Sequence, residues 1–231
     1  MKRATELERV TTPDGSVLAL VERDGEYALR VNGRELMSTR HCHSEEQLGV
    51  VACQARASLP RACVLVGGLG LGFTLRGALA TLRGDARVVV AELMAEVVEW
   101  NRNPAYPLAA AALADRRTEV VVGDVADVIA RSTERFDAIM LDADNETTQM
   151  NTAGNSSLYQ TAGLANVRKA LRPGGTVVYW SAAEDPPFAK RLAASGFAVD
   201  VRRVRQHATA GGHHVLFVGQ LPAARRPIKA F

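Results

Sequence analysis

"VLVGGLGLGFTLRG", residues 64–77, decides how the chain is read. It begins as an apolar run of strand length and passes into glycines at Gly68, Gly70 and Gly72. It then opens a helical pattern in which Leu75, Leu79 and Leu82 share a face. A strand, a glycine-rich turn and a helix in that order let the backbone approach a ligand closely while the first amides of the helix point at it. A nucleotide-type ligand fits such a turn, and so does a tight strand-to-helix connection that holds nothing.

Outward from this stretch, the texture after Pro60 is strand and helix in alternation. Strands are predicted at 63–67, 87–92, 118–123, 136–142, 176–180, 198–201 and 214–218. Helices fit between them, including "SLYQTAGLANVRKAL" with Leu164, Val167 and Leu171 on one face before an "RPGG" stop, and "EDPPFAKRLAASG" ending at Gly196. The fold class is therefore α/β: a Rossmann-like, doubly wound, seven-stranded, mostly parallel sheet. Before it, "TTPDGS", "RDGE" and "NGR" punctuate short alternating runs, a small N-terminal β-meander appended to the main domain. "SEEQLGVVACQARASL" then reads as a linking helix with Ser44 as its N-cap. The divisions are 1–43 for the meander, 44–59 for the linking helix, 60–221 for the nucleotide-binding domain, and 222–231 for a tail expected to be poorly ordered.

Composition sets the class without naming a partner. With 231 residues and 47% hydrophobic content the chain can bury a real core, and a formal charge of +3 with well-mixed acids and bases gives no reason to expect a nucleic-acid partner. Arg202, Arg203 and Arg205 are the one basic strip, in "RRVRQHATAGGHH", which reads as a hairpin loop or a lid over an acceptor ahead of the last strand. Cys42, Cys53 and Cys63 lack CxxC spacing and suit a reducing compartment. No run approaches the roughly 18 apolar residues of a membrane span, and the first residues lack a signal-peptide core. The expected location is cytoplasmic.

Two acids sharpen the glycine turn. Glu92 closes the next strand in "RVVVAELMAEVV", about 20 residues on, where a carboxylate can accept from both hydroxyls of a ribose. Asp124, in "VVVGDVADVI", is placed to receive an adenine amino group or to cap the following helix. Dinucleotide sites use GxGxxG, whereas here Gly72 stands two positions past Gly70 and Phe73 three past it. The turn favours ligands of the S-adenosylmethionine type, with Gly68, Leu69, Gly70, Gly72, Glu92, Leu93, Asp124 and Val125 as the binding set.

"VLVGGLGLGFTLR", "FDAIMLDAD" and "LYQTAGLANVRKALRPGG" resemble the strand-turn-helix motif, the catalytic strand end and the following helix of the spermidine synthase-like family, within the class I S-adenosylmethionine-dependent methyltransferases. The resemblance spans nearly the whole chain and implies a transferase, commonly dimeric. In that family an aspartate in the glycine turn holds the amine of decarboxylated S-adenosylmethionine; Leu71 occupies its position here. The family's amine-gripping tyrosine falls at Leu164, and its Tyr-His-Glu stretch becomes Ser44, Glu45 and Glu46. Asp142 matches the strand-end aspartate, and the second acid is displaced to Asp144.

These departures move the expectation toward an S-adenosylmethionine-dependent methyltransferase acting on a small, amine-containing acceptor. An aminopropyltransferase using decarboxylated S-adenosylmethionine and a silent binding protein of the same fold are the alternatives. Asp142 is the expected base or scaffold at the strand end. Glu46, Asp144, Asn145 and Tyr159 are expected in the acceptor pocket, with Glu45 beside Glu46 and Trp180 as a wall. His41–His43, reading HCH, cannot complete a tetrahedral site without a distant ligand, and no metal is expected. The expected partners are a small-molecule acceptor and a second copy of the chain, with no membrane and no nucleic acid.

Overall fold

The structure is a computed structural model, and it describes residues 4–142, 157–207 and 211–223. The first four strands, β1 (Thr5–Thr11), β2 (Val17–Arg23), β3 (Glu26–Val31) and β4 (Arg34–Ser38), form an antiparallel sheet in the order β1-β2-β3-β4. Asp24-Gly25 and Asn32-Gly33 turn the chain with positive φ at both central residues, the two-residue hairpin geometry that matches strand twist. Alternation then sorts the faces. Leu18, Leu20, Leu29 and Val31 enter the main core, while Ala19, Val21 and Ala28 form a small cluster on the other side.

The second sheet has seven strands in the order β10-β11-β9-β8-β5-β6-β7. Its parallel part comprises β5 (Cys63–Gly67), β6 (Arg87–Glu92), β7 (Thr118–Val122), β8 (Phe136–Leu141) and β9 (Leu171–Ser181). The strands β10 (Ala198–Arg205) and β11 (His213–Gln220) complete it antiparallel. Every residue of β5 and β8 is buried, as central parallel strands covered on both faces require. The chain winds outward from β5 through β6 to β7 and returns to place β8 on the other side of β5. The crevice of such a sheet opens where that reversal occurs, at the carboxyl ends of β5 and β8.

Helices cover both faces. α1 (His43–Gln54), α2 (Phe73–Thr81), α3 (Ala95–Arg102) and the short α4 (Ala110–Leu113) contribute to the larger apolar cluster, which also takes in the N-terminal sheet. α5 (Val125–Ala130), α6 (Thr161–Ala170) and α7 (Pro186–Ala194) cover the other face with Ile129, Leu164, Val167, Phe188 and Leu192. Asp185 caps α7 by accepting from the Phe188 N–H at 2.9 Å, and Gly196 follows the helix at φ +92°. Burial pushes the Cys53 thiol up to about 12. Among the described residues no helix is long and apolar enough to cross a membrane.

Three local expectations are corrected. α1 begins one residue early, at His43, so Ser44 is not its N-cap; Cys42 holds that position and makes no side-chain cap. The serine hydroxyl is engaged elsewhere. "RPGG" does end α6, but β9 starts at once at Leu171 and runs through it, with Gly174 at φ +76° taking up the irregularity. The strip Arg202, Arg203 and Arg205 lies on β10 rather than in a loop, because pairing with β11 continues as far as Arg205 opposite His213. Arg202 pairs with Asp200, and Arg203 with Glu184.

α1 and α2 cross at two glycines. A Cβ on Gly49 would collide with the Thr74 carbonyl and the Ala78 amide nitrogen, and one on Gly77 with the Glu46 carbonyl. Backbone therefore packs against backbone, which brings the first turn of α1 up to the glycine turn that precedes α2. Gly77→Ala is expected to destabilise the protein by about 1–3 kcal/mol through overpacking, as read by urea or thermal denaturation. An unchanged midpoint would show that the helices can part at no cost.

Candidate active site

Sheet register assembles the site. Gly67 lies opposite Ala91 on one side and Leu141 on the other. One residue further on, Gly68, Glu92 and Asp142 come together at the carboxyl edge. The Gly68 N–H donates to the Ala91 carbonyl at 2.9 Å, and the Gly123 N–H to that of Glu92 at 2.8 Å. The φ of Gly68 is +88°, and a Cβ there would meet nothing nearer than the Asp142 carbonyl at 4.0 Å. Its outer side is open cavity.

Glu92 is 8% exposed. One carboxylate oxygen accepts from the Leu69 N–H at 2.7 Å and the other from the Met94 N–H at 2.9 Å. Burial pushes its carboxyl above the usual carboxylate range, and the amides of Met94, Leu69, Gly70 and Leu93 oppose that rise. Asn101, 1% exposed, fixes the turn from below by donating to the carbonyls of Gly70 and Val97, each at 2.8 Å. The Leu71 N–H points to the Met37 sulfur at 3.2 Å, which joins β4 to the turn.

The turn, the strand ends and the N-terminal sheet enclose a cavity of about 580 Å³. Of the residues expected to bind a nucleotide-type ligand, Gly68, Leu69, Gly70, Glu92, Leu93, Asp124 and Val125 line it. Gly72 does not: it starts α2 at φ +79°, and a Cβ there would strike that of Ala109. Leu71 is 1% exposed and belongs to the apolar core, so the position matched to the family's amine-holding aspartate is turned away from the cavity. Asp124 also caps α5, with one carboxylate oxygen accepting from the Ala126 N–H at 2.8 Å. The other oxygen has no part in that cap.

Of the residues expected around an acceptor, Asp142 and Trp180 line the cavity. Glu45 lines it too, buried at 6% exposure, whereas Glu46 does not and pairs instead with Arg76 at 3.1 Å. On a helix, adjacent residues face different directions, so exchanging one for its neighbour exchanges cavity for surface. Tyr159 lies outside the lining, in an aromatic cluster with Tyr179 and Phe188, centroids 5.1 and 5.2 Å away. Asp144 and Asn145 lie outside the described residues. No sequence spacing marks Met37 or His214 as site residues; Asn101 has one usable signal, a neutral polar residue among the buried positions Val97, Val98 and Trp100 of α3. His41 makes an edge contact with His207 at 5.8 Å between ring centroids. No metal-holding group of three or more His, Cys, Asp or Glu occurs among the described residues.

A family model described as S-adenosyl-L-methionine-dependent methyltransferase matches residues 87–210, more than half of the chain. A comparison with curated proteins gives no match. Among solved structures, the spermidine synthase from Thermotoga maritima aligns with a TM-score of 0.71 and 18% identity, covering 97% of this chain and 74% of that one. A probable spermidine synthase from Corynebacterium glutamicum gives 0.62 and 18%, with coverage of 95% and 81%. A methyltransferase from Geobacter sulfurreducens gives 0.52 and 20%, with 78% and 80%. These solved structures share the fold with this chain. The matched segment starts at β6 and carries Glu92, Asp124 and Asp142, and the chain belongs to the S-adenosyl-L-methionine-dependent methyltransferase family.

Proposed function

We propose that the chain transfers a methyl group from S-adenosylmethionine to a small, amine-containing acceptor. The cavity suits such a donor. Glu92 keeps lone pairs on both oxygens for a ribose, Leu93 and Val125 offer apolar contacts for a flat base, and Asp124 can receive an amino group. When bound, the donor supplies a methyl group made electrophilic by its sulfonium. The protein has to exclude water, hold the nucleophile in line and manage its proton. Asp142, at the end of β8, is the carboxylate assigned to hydrogen-bond the reactive nitrogen.

The observation favouring methyl transfer is the burial of Leu71. The glycine turn presents no carboxylate there to grip the amine of a decarboxylated donor, and none to repel the carboxylate of the intact one. Aminopropyl transfer is the second reading, supported by the fold shared with spermidine synthases and by the acids Glu35, Glu45 and Asp142 around the cavity.

Calorimetric titration with the intact and the decarboxylated donor is the deciding measurement. Tighter binding of S-adenosylmethionine is expected, and the reverse preference would overturn methyl transfer. Glu92→Gln is expected to weaken donor binding by about 10- to 100-fold, the worth of hydrogen bonds to a charged group. Because burial raises the Glu92 pKa, its protonated fraction grows from a higher pH than for an exposed glutamate. Donor affinity should therefore fall on acidification through that raised value, and this pH dependence should vanish in Glu92→Gln. Gly68→Ala should cost about 1–2 kcal/mol of stability from its positive φ. It should also weaken donor binding by more than about tenfold, because its methyl enters the cavity. Asp142→Asn should leave folding and donor binding intact and depress turnover in a screen of small amines.

A further inference from the structure

The first turn of α1 reaches across to the antiparallel edge of the sheet through a chain of side chains. Ser44, fully buried, donates its hydroxyl to the Glu45 carboxylate. The same Oγ lies 2.9 Å from His214 Nδ1 on β11, 170 positions away in sequence. His214 Nε2 lies 2.8 Å from the Gln206 amide nitrogen. With the Gln206 amide nitrogen as donor, Nε2 accepts, and the ring proton is assigned to Nδ1, which then donates to Ser44. All the protons in the chain point toward Glu45. The Trp180 ring packs edge-on to His214 at 4.5 Å between centroids and, like Glu45, lines the cavity.

A buried carboxylate is an expensive wall for a cavity. Removing its charge from water costs several kcal/mol, and an apolar side chain of similar volume commonly packs there with equal or greater stability. The oriented donors offset part of that cost and fix where the carboxylate stands. Burial raises the Glu45 pKa, the Ser44 hydrogen bond lowers it, and the neighbouring Glu46 charge adds to the rise. Glu46 itself is engaged by Arg76 of α2. The other charged groups on the cavity are Arg34 and Glu35 from β4, Glu92 at the end of β6, Asp124 before α5, and Asp142 after β8.

We propose that Glu45 is the proton acceptor of the transfer reaction, and that Ser44 and His214, backed by Gln206, are positioning residues that hold its carboxylate toward the acceptor. The inference rests on reading the cavity as a transferase site. In the step it serves, the acceptor's nitrogen lone pair forms the new bond to carbon as the carbon–sulfur bond of the donor breaks with its electron pair passing to sulfur. The N–H bond then gives its pair to nitrogen and its proton to Glu45. The products are a neutral alkylated amine, a neutral thioether and a protonated Glu45, so charge and atoms balance. Asp142 orients the same nitrogen from the strand end.

The test is a carbon-13 NMR titration of the Glu45 carboxyl in the full chain, paired with calorimetry. Glu45 should titrate above the usual carboxylate range, and the midpoint should rise further in Ser44→Ala and His214→Leu, where donors are lost. His214→Asn, whose amide can replace Nδ1, should restore it. A midpoint that neither Ser44→Ala nor His214→Leu moves would overturn the positioning roles. With S-adenosylhomocysteine bound, n-butylamine serves as the acceptor probe. It should shift the Glu45 carboxyl resonance and bind about tenfold more weakly to Glu45→Gln. If the wild-type protein binds S-adenosylhomocysteine yet the amine leaves Glu45 unperturbed, or binds Glu45→Gln equally well, the proposal fails while the transferase reading stands. Failure of S-adenosylhomocysteine to bind at all would instead remove the reading on which it rests.

Discussion

The Glu92 carboxylate ties the glycine turn to the start of α3. Its two oxygens take the N–H of Leu69 in the glycine turn and the N–H of Met94 ahead of α3. Those amides would otherwise be buried donors without partners, each costing about 1–3 kcal/mol. By accepting both, Glu92 fixes the turn to the edge of β6 and commits its own charge to the cavity. The position of Asn101 under Gly70, the open outer side of Gly68 and the start of α3 all follow from where that carboxylate stands.

The second constraint is steric. α1 can present Glu45 to the cavity because glycines on α1 and α2 allow backbone contact between the helices. The N-terminal sheet closes the same space from the other side, with Leu18, Leu29 and Val31 on its inner face and Met37 lying over the turn. A meander of under roughly 40 residues buries too little apolar surface to be stable alone. Its stability comes from the core it shares with α1 and α2, so the cover of the cavity and the floor of the cavity are one packing unit.

Much of this was legible in the residues. The run at 64–67, the glycines after it and the acids at Glu92 and Asp124 are local patterns whose meaning depends only on strand length and turn chemistry, and they located most of the cavity wall. Positions that depend on tertiary packing were not legible. Leu71 and Gly72 sit within the motif but face the core and Ala109, because the alternating positive-φ glycines turn successive residues in different directions. Glu45 and Glu46 are both acids on one short helix, and only the helix's rotation against α2 decides which enters the cavity. The link from Ser44 to His214 spans 170 positions, and no local spacing could have indicated it.

The strand order has a consequence for the order of assembly. β5, α2 and β6 form a short right-handed unit in which the glycine turn and Glu92 come together over fewer than 30 residues. β8 must travel much further along the chain before it pairs with β5, and loop closure over longer separations is slower and entropically more costly. The β5–β6 half of the crevice can therefore form as an early, largely local structure, with Asp142 delivered only when the parallel sheet closes. Until that pairing forms, the cavity has its glycine turn and Glu92 but lacks the wall that Asp142 supplies, so its lining is completed by a long-range contact rather than a local one.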